Sequence, residues 1–200
     1  MRHRQIWIWV MAFPCLVIWT GVVLAHITPP VVLLSDRDAV VSMLSGARRY
    51  FVREVRLTAE ERNHIRQEWG WKPDEDFYRF YLGRDGQGRL VGAVIFLTEF
   101  TIHGPVRVAV DIGPEGRVKD ARVVELTEET YYWVKPLLDD NFTQEYVGRD
   151  SRANFTPSGR FAEANLQNMP YFYAQIVASL IQRGAILFGV TFSNQKAAAS

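Results

Sequence analysis

The sequence predicts an α+β domain, an antiparallel sheet with packed helices, preceded by one N-terminal transmembrane helix. Three observations carry this. A run of 20 residues without a charge, Ile6 to Ala25, stands near the start of the 200-residue chain. Between residues 77 and 126, runs rich in β-branched and aromatic residues are separated by turn residues. Helical signals bracket those runs: a capping box, Thr58-Ala-Glu-Glu61, before them, and a long apolar segment opening at Pro170 after them.

Composition narrows the function classes. Hydrophobic residues make up 48% and charged residues 22%, a globular balance. The net charge of +1 argues against a nucleic-acid partner, which would select a basic excess. The single cysteine, Cys15, excludes a disulfide framework, a four-thiolate zinc site and an iron–sulfur cluster held by this chain alone. No CxxCH is present for covalent haem.

The run Ile6–Ala25 reaches about 30 Å as a helix, the thickness of a hydrocarbon core. Arg2 and Arg4 precede it and place the N-terminus in the cytoplasm by the positive-inside rule, with Trp7 and Trp9 at the interface. Residues 1–35 are therefore expected to be an anchor with its linker, and residues 36–200 an extracytoplasmic domain, periplasmic in a Gram-negative cell. A cleaved signal peptide is the rival reading. Against it stand the length of the run and the poor cleavage sequence Ala25-His26-Ile27.

Ser35-Asp36 can cap a helix over about Arg37–Glu54, where Val40, Val41, Leu44, Ala47, Phe51 and Val55 form an apolar stripe. The helix opened by Thr58 carries Ile65 as its one strong inward residue and leaves His64 exposed. Phe77–Leu82 and Leu90–Leu97 flank Asp85-Gly-Gln-Gly88, a hairpin signal. Val106, Val108, Val110 and Ile112 alternate with polar or small residues, and Gly113–Gly116 turns the chain into Arg117–Leu126. At least four antiparallel strands follow. Residues 127–164 read as irregular, with a short helix around Asp139–Val147. A helix over about Pro170–Phe188 is expected to pack on the sheet, because Gln175, Gln182 and Arg183 disfavour a second span. The terminal Ala-Ala-Ala-Ser is expected to fray.

Residue chemistry offers little catalysis. Histidines 3, 26, 64 and 103 have no metal-site spacing, and HExxH, GxSxG and P-loop strings are absent. The pairs Glu128-Glu129 and Asp139-Asp140 read as solvated helix ends and loops. No catalytic residue and no metal ligand is assigned.

The segment order LTAEERNHIRQEWGW, FYRFYLGRDGQGRLVGAVIFLTEF and TIHGPVRVAVDIGPEGRVKDARVVEL, over residues 57–126, resembles the FMN-binding domain family. That domain occurs in the G subunit of Rnf electron-transport complexes and the C subunit of the sodium-pumping NADH:quinone reductase. Gly92, the His103-Gly104 turn, Glu128–Tyr132 and Phe142–Arg149 carry further likeness, and the whole extends over roughly residues 55–190. The resemblance implies one N-terminal span, an extracytoplasmic domain and a role in membrane electron transport. Flavinylated members carry S/T-G-A-T-x-S/T before the last helix. No such string exists here. Asn168-Met-Pro-Tyr-Phe-Tyr173 stands in its place, with bulky rings where small residues admit the phosphate and with Pro170 removing an N–H donor. An earlier placement, Thr156-Pro-Ser158-Gly159, lacks Ala-Thr.

Covalent flavin is therefore not expected. The leading expectation is an accessory or structural subunit of a membrane redox or photosynthetic complex, without cofactor. Its partners would be other subunits, and the lipid bilayer through residues 6–25. The aromatics Phe155, Phe161, Tyr171, Phe172 and Tyr173 could supply its surface, Gly21 and Thr20 could pack the span on partner helices, and residues 150–168 could form an arm ordered by a partner. The alternative is a carrier of non-covalent FMN, with Tyr131, Tyr132, Trp133 or Tyr173 stacking on the ring and Arg149, Arg152 or Arg160 pairing with the phosphate. A sensor or ligand-binding domain is a third class, with no specific residue behind it.

Overall fold

The computed structural model describes residues 29–162 and 168–193. The expected span, the Gly21 and Thr20 contacts and the terminal Ala-Ala-Ala-Ser lie outside the described residues. Six antiparallel strands form one sheet: β1 (Pro30–Val32), β2 (Arg49–Val55), β3 (Tyr78–Arg84), β4 (Leu90–Thr101), β5 (Gly104–Ile112) and β6 (Val118–Thr127). Their spatial order is β1-β6-β5-β4-β3-β2. The helices are α1 (Asp36–Met43), α2 (Ala59–Trp69), α3 (Glu128–Asp139) and α4 (Met169–Phe188), and a π-helical turn, Gly189–Ser193, continues α4. The predicted α+β class and antiparallel sheet are observed.

Period-2 alternation divides the core between two faces of the sheet. Val106, Val108, Val110 and Ile112 join the larger cluster with Val177, Ile181 and Phe188 of α4 and Val134 and Leu137 of α3. Their neighbour Ala109 faces the other way, into a smaller cluster with Ala39, Val40, Met43 and Leu44 around α1. The sheet is therefore sandwiched, with α1 on one face and α3 and α4 on the other.

Helix α4 is the central helix. By length and composition Met169–Phe192 could cross a membrane, as no other helix among the described residues could. Here it lies on the sheet, as the sequence predicted. A Cβ on Gly184 would come within 3.1 Å of Val110, so the missing side chain lets helix and strand approach. Its polar residues are engaged: Arg183 pairs with Glu99 at 2.6 Å, and Gln182 donates to the Ser151 carbonyl.

Four expectations are corrected. The helix expected over Arg37–Glu54 stops at Met43. Gly46, at φ +94°, turns the chain, and Arg49–Val55 pairs along the whole of β3 as edge strand β2. Phe51 and Val55 continued a helical stripe only because i, i+4 positions also share one face of a strand. Pro30–Val32, expected within the linker, pairs with Glu125–Thr127. The stretch after Thr127, expected to be irregular, opens with α3. Thr127 and Thr130 form a reciprocal cap on it, and Pro136 lies inside its last turns. The short helix expected at Asp139–Val147 is a 3-10 turn, Phe142–Tyr146.

The Thr58 capping box forms as predicted: Glu61 N–H donates to Thr58 Oγ1 at 3.1 Å and Thr58 N–H to Glu61 Oε2 at 2.8 Å. Thr58→Ala is expected to cost about 1 kcal/mol, measurable as a shift in the urea midpoint at unchanged slope. His64 is exposed and Ile65 buried, as expected.

Candidate functional site, a polar cleft at the open edge of the sheet

Strand β6 is covered by β1 only at Glu125–Thr127. At its other end Val118 exchanges backbone hydrogen bonds with Gly148 and Arg149. Between these two closures the edge faces a cleft of about 620 Å³. Ser42, Met43 and Ser45 of the α1 side, Asp120 and Arg122 of β6, and Asn141–Gln144 after α3 line it, with Asp111 and Lys119.

Asp111 is fully buried, an ionisable group among core residues. It shares the α1 face with Ala109, two residues away along β5. Two irregularities of the ladder give it a partner. Opposite β5, Asp120 pairs with Asp111 and Val118 with Ile112, which leaves Lys119 as an extra residue, a β-bulge. Between β3 and β4, Gly83 pairs with Gly92 and Arg84 with Leu90, leaving Val91 extra. Lys119 Nζ lies 3.2 Å from Asp111 Oδ2 and donates to the Val91 carbonyl at 3.2 Å. The two bulges are thus bridged by one ammonium group. Gly92 leaves the space that the carboxylate occupies, since a Cβ there would stand 2.4 Å from Asp111 Oδ1.

Burial pushes the Asp111 carboxyl up to about 6, against the downward pull of Lys119. A group of that kind exchanges a proton close to neutral pH. Beside it, Arg122 pairs with Asp120 at 2.7 Å and donates to Ser42 Oγ at 3.3 Å. The cleft therefore offers two cations, two carboxylates, hydroxyls and amides, a lining suited to a small polar ligand. Among the described residues no group of three or more His, Cys, Asp or Glu could hold a metal ion.

The residues expected at a flavin site lie elsewhere. Tyr173 is fully buried and stacks on Trp133 at 5.9 Å between centroids. Tyr131 is half-buried against the core and Tyr132 is exposed. Arg160 pairs with Asp140 at 2.5 Å and donates to the Pro136 carbonyl, at the far end of α3 from Tyr131 and Tyr132. Arg149 donates to the Asn154 carbonyl and lies over the Tyr146 ring. Arg152 is exposed, with its Nε 4.0 Å from Glu68. Trp133 and Tyr173 are brought together; Arg149 and Arg160 hold different parts of the surface.

The expected aromatic surface is corrected in part: Phe172 is exposed, whereas Tyr173 is buried. Phe155 and Phe161 are core residues, on Tyr146 and Phe142 respectively, each at 5.3 Å. Of the expected arm, residues 150–162 are held by the domain itself, with Trp69 Nε1 donating to the Ser151 carbonyl; residues 163–167 lie outside the described residues.

No protein-family model matches this chain, and no curated protein matches its sequence.

Proposed function

We propose that this chain is a membrane-anchored periplasmic accessory subunit of a membrane redox or photosynthetic electron-transfer complex, built on an FMN-binding-type domain and kept for its surface rather than for a covalent flavin. The observation that carries the reading is the state of Tyr173. The last helix begins where flavinylated members present a small, hydroxyl-bearing loop. Here Asn168 caps that helix and the Tyr173 ring closes on Trp133, filling the space beside it. Of the arginines that would pair with a phosphate, Arg160 is engaged by Asp140 and the Pro136 carbonyl and Arg149 by the Asn154 carbonyl. The uncharged run Ile6–Ala25 supplies the anchor.

A second reading, a carrier of non-covalent FMN, draws support from the cleft. Its volume suits one cofactor, and Lys119 and Arg122 stand on it. An absorption and fluorescence spectrum of the detergent-purified protein, taken before and after acid precipitation, separates the two. The accessory reading expects no flavin in either fraction and co-purification with a larger complex. Flavin in the supernatant establishes the second reading, and its loss in Arg122→Ala but not Arg160→Ala would put it in the cleft. Flavin in the pellet means a covalent link and overturns the first reading.

A further inference from the structure

The β4–β5 hairpin ends in Phe100-Thr-Ile-His103, and its apolar side chains point away from the core. Ile102 is 96% exposed and Phe100 78% exposed. Phe172, on the first turn of α4 and 47% exposed, lines the same shallow hollow with Ile176. Isolated exposed apolar residues need no explanation, but several together at one tip mark a contact surface.

The tip is firmly built. Thr127 Oγ1 donates to the His103 carbonyl at 2.8 Å, and Gly104, at φ +107°, has Thr127 Cγ2 where a Cβ would stand. The His103 ring lies 4.7 Å from Trp133, and its Nδ1 is 2.7 Å from Glu129. The charges nearest the tip are thus engaged: Glu129 with His103, and Glu99 with Arg183.

Its position says what covers it. Glu128 N–H donates to the Pro29 carbonyl at 3.1 Å, so the first described residue sits beside Thr127, which holds the hairpin tip. With β6 and β5 between β1 and β4, Pro29 lies about 12 Å from Ile102 across the sheet. Four residue steps separate Pro29 from Ala25, the end of the uncharged run, and span at most about 14 Å. If that run crosses the bilayer, this end of the domain stands at the membrane surface. The head-group layer on each side is only about 5–8 Å deep, within reach of an emergent Ile and Phe.

We propose that the β4–β5 hairpin tip, with Phe100, Ile102 and Phe172, docks into the same leaflet surface from which the N-terminal segment emerges, fixing the orientation of the domain on the membrane. This rests on the anchor reading. The second contact would leave the cleft at the β6 edge in one defined attitude to the bilayer.

The full chain in phosphatidylcholine vesicles tests it. Cys15 is the lone cysteine, so an environment-sensitive fluorophore can be placed there, or at Ile102→Cys or Gln87→Cys in a Cys15→Ala background. Gln87 is exposed at the β3–β4 turn, roughly 35 Å from the tip along β4. Nitroxide is carried on the lipid, shallow or deep. The expected result is loss of emission at 102 with shallow nitroxide, a blue shift there on reconstitution, and no change at 87. Emission at 102 that ignores nitroxide lipid and is quenched by iodide overturns the docking. So does a label at 102 shielded from both, which would mean a protein, such as a second copy, covers the tip. The Cys15 label separates the two failures. Deep nitroxide quenches it if the anchor stands; if it does not, the anchor reading fails, and the docking with it.

Discussion

Asp111→Asn is expected to become more stable relative to the native chain as pH rises from 4 to 7, by about 2 kcal/mol. The carboxyl titrates near its ordinary value of 3.8 when unfolded and near 6 in the fold. Between those values the folded state holds a proton that the unfolded state has released. Native stability from this group is therefore fully present below about pH 4 and lost as pH passes through about 6. Asparagine does not titrate, so the variant keeps what the carboxylate loses. Urea unfolding of both proteins in detergent at pH 4, 5, 6 and 7 reads the difference directly. A constant offset at all four values would mean that Asp111 titrates normally. Lys119→Met should move the window upward, because the ammonium 3.2 Å away holds the carboxyl down.

Tyr173→Ala should cost about 3–5 kcal/mol, because it empties a fully buried ring site between Trp133 and the core. Tyr173→Phe should stay within about 1 kcal/mol of the native chain, since it keeps the buried ring and gives up only the hydroxyl. Thermal melts of both variants, with near-UV circular dichroism for the ring environment, check the pair. If Phe costs as much as Ala, the hydroxyl is bonded and Tyr173 is more than packing. The pair also bears on the proposed role, because a ring already stacked on Trp133 cannot offer that face to a flavin.

The legible parts of this fold were those written in local signals. The Thr58 cap, the Asp85–Gly88 turn and the alternation of Val106, Val108, Val110 and Ile112 each involve residues close in sequence, and each forms as read. Strand β2 was not legible, because the spacing of Phe51 and Val55 satisfies a helix and a strand alike; pairing with β3 decides it. Helix α3 was obscured by Pro136, whose cost falls near the helix end while Thr127 and Thr130 supply the start. The candidate cleft was the least visible feature. Its one local trace is an aspartate inside the apolar run Val-Ala-Val-Asp-Ile, an ionisable group where both neighbours are core residues.

By itself the amino-acid sequence determined the α+β class, the strand faces, the helix on which the sheet packs, and an uncharged run long enough to cross a bilayer. All of these follow from periodicity and capping, which act over a few residues. Tertiary structure alone decided that Lys119 reaches Asp111 and Val91, that Tyr173 closes on Trp133, and that Pro29 meets Glu128, next to the Thr127 that holds the hairpin tip. Those contacts join residues far apart in the chain, through bulges that shift a register by one and through strands neighbouring in space rather than in sequence. Side-chain pattern specifies which face a residue takes, but only the assembled sheet specifies what it meets there.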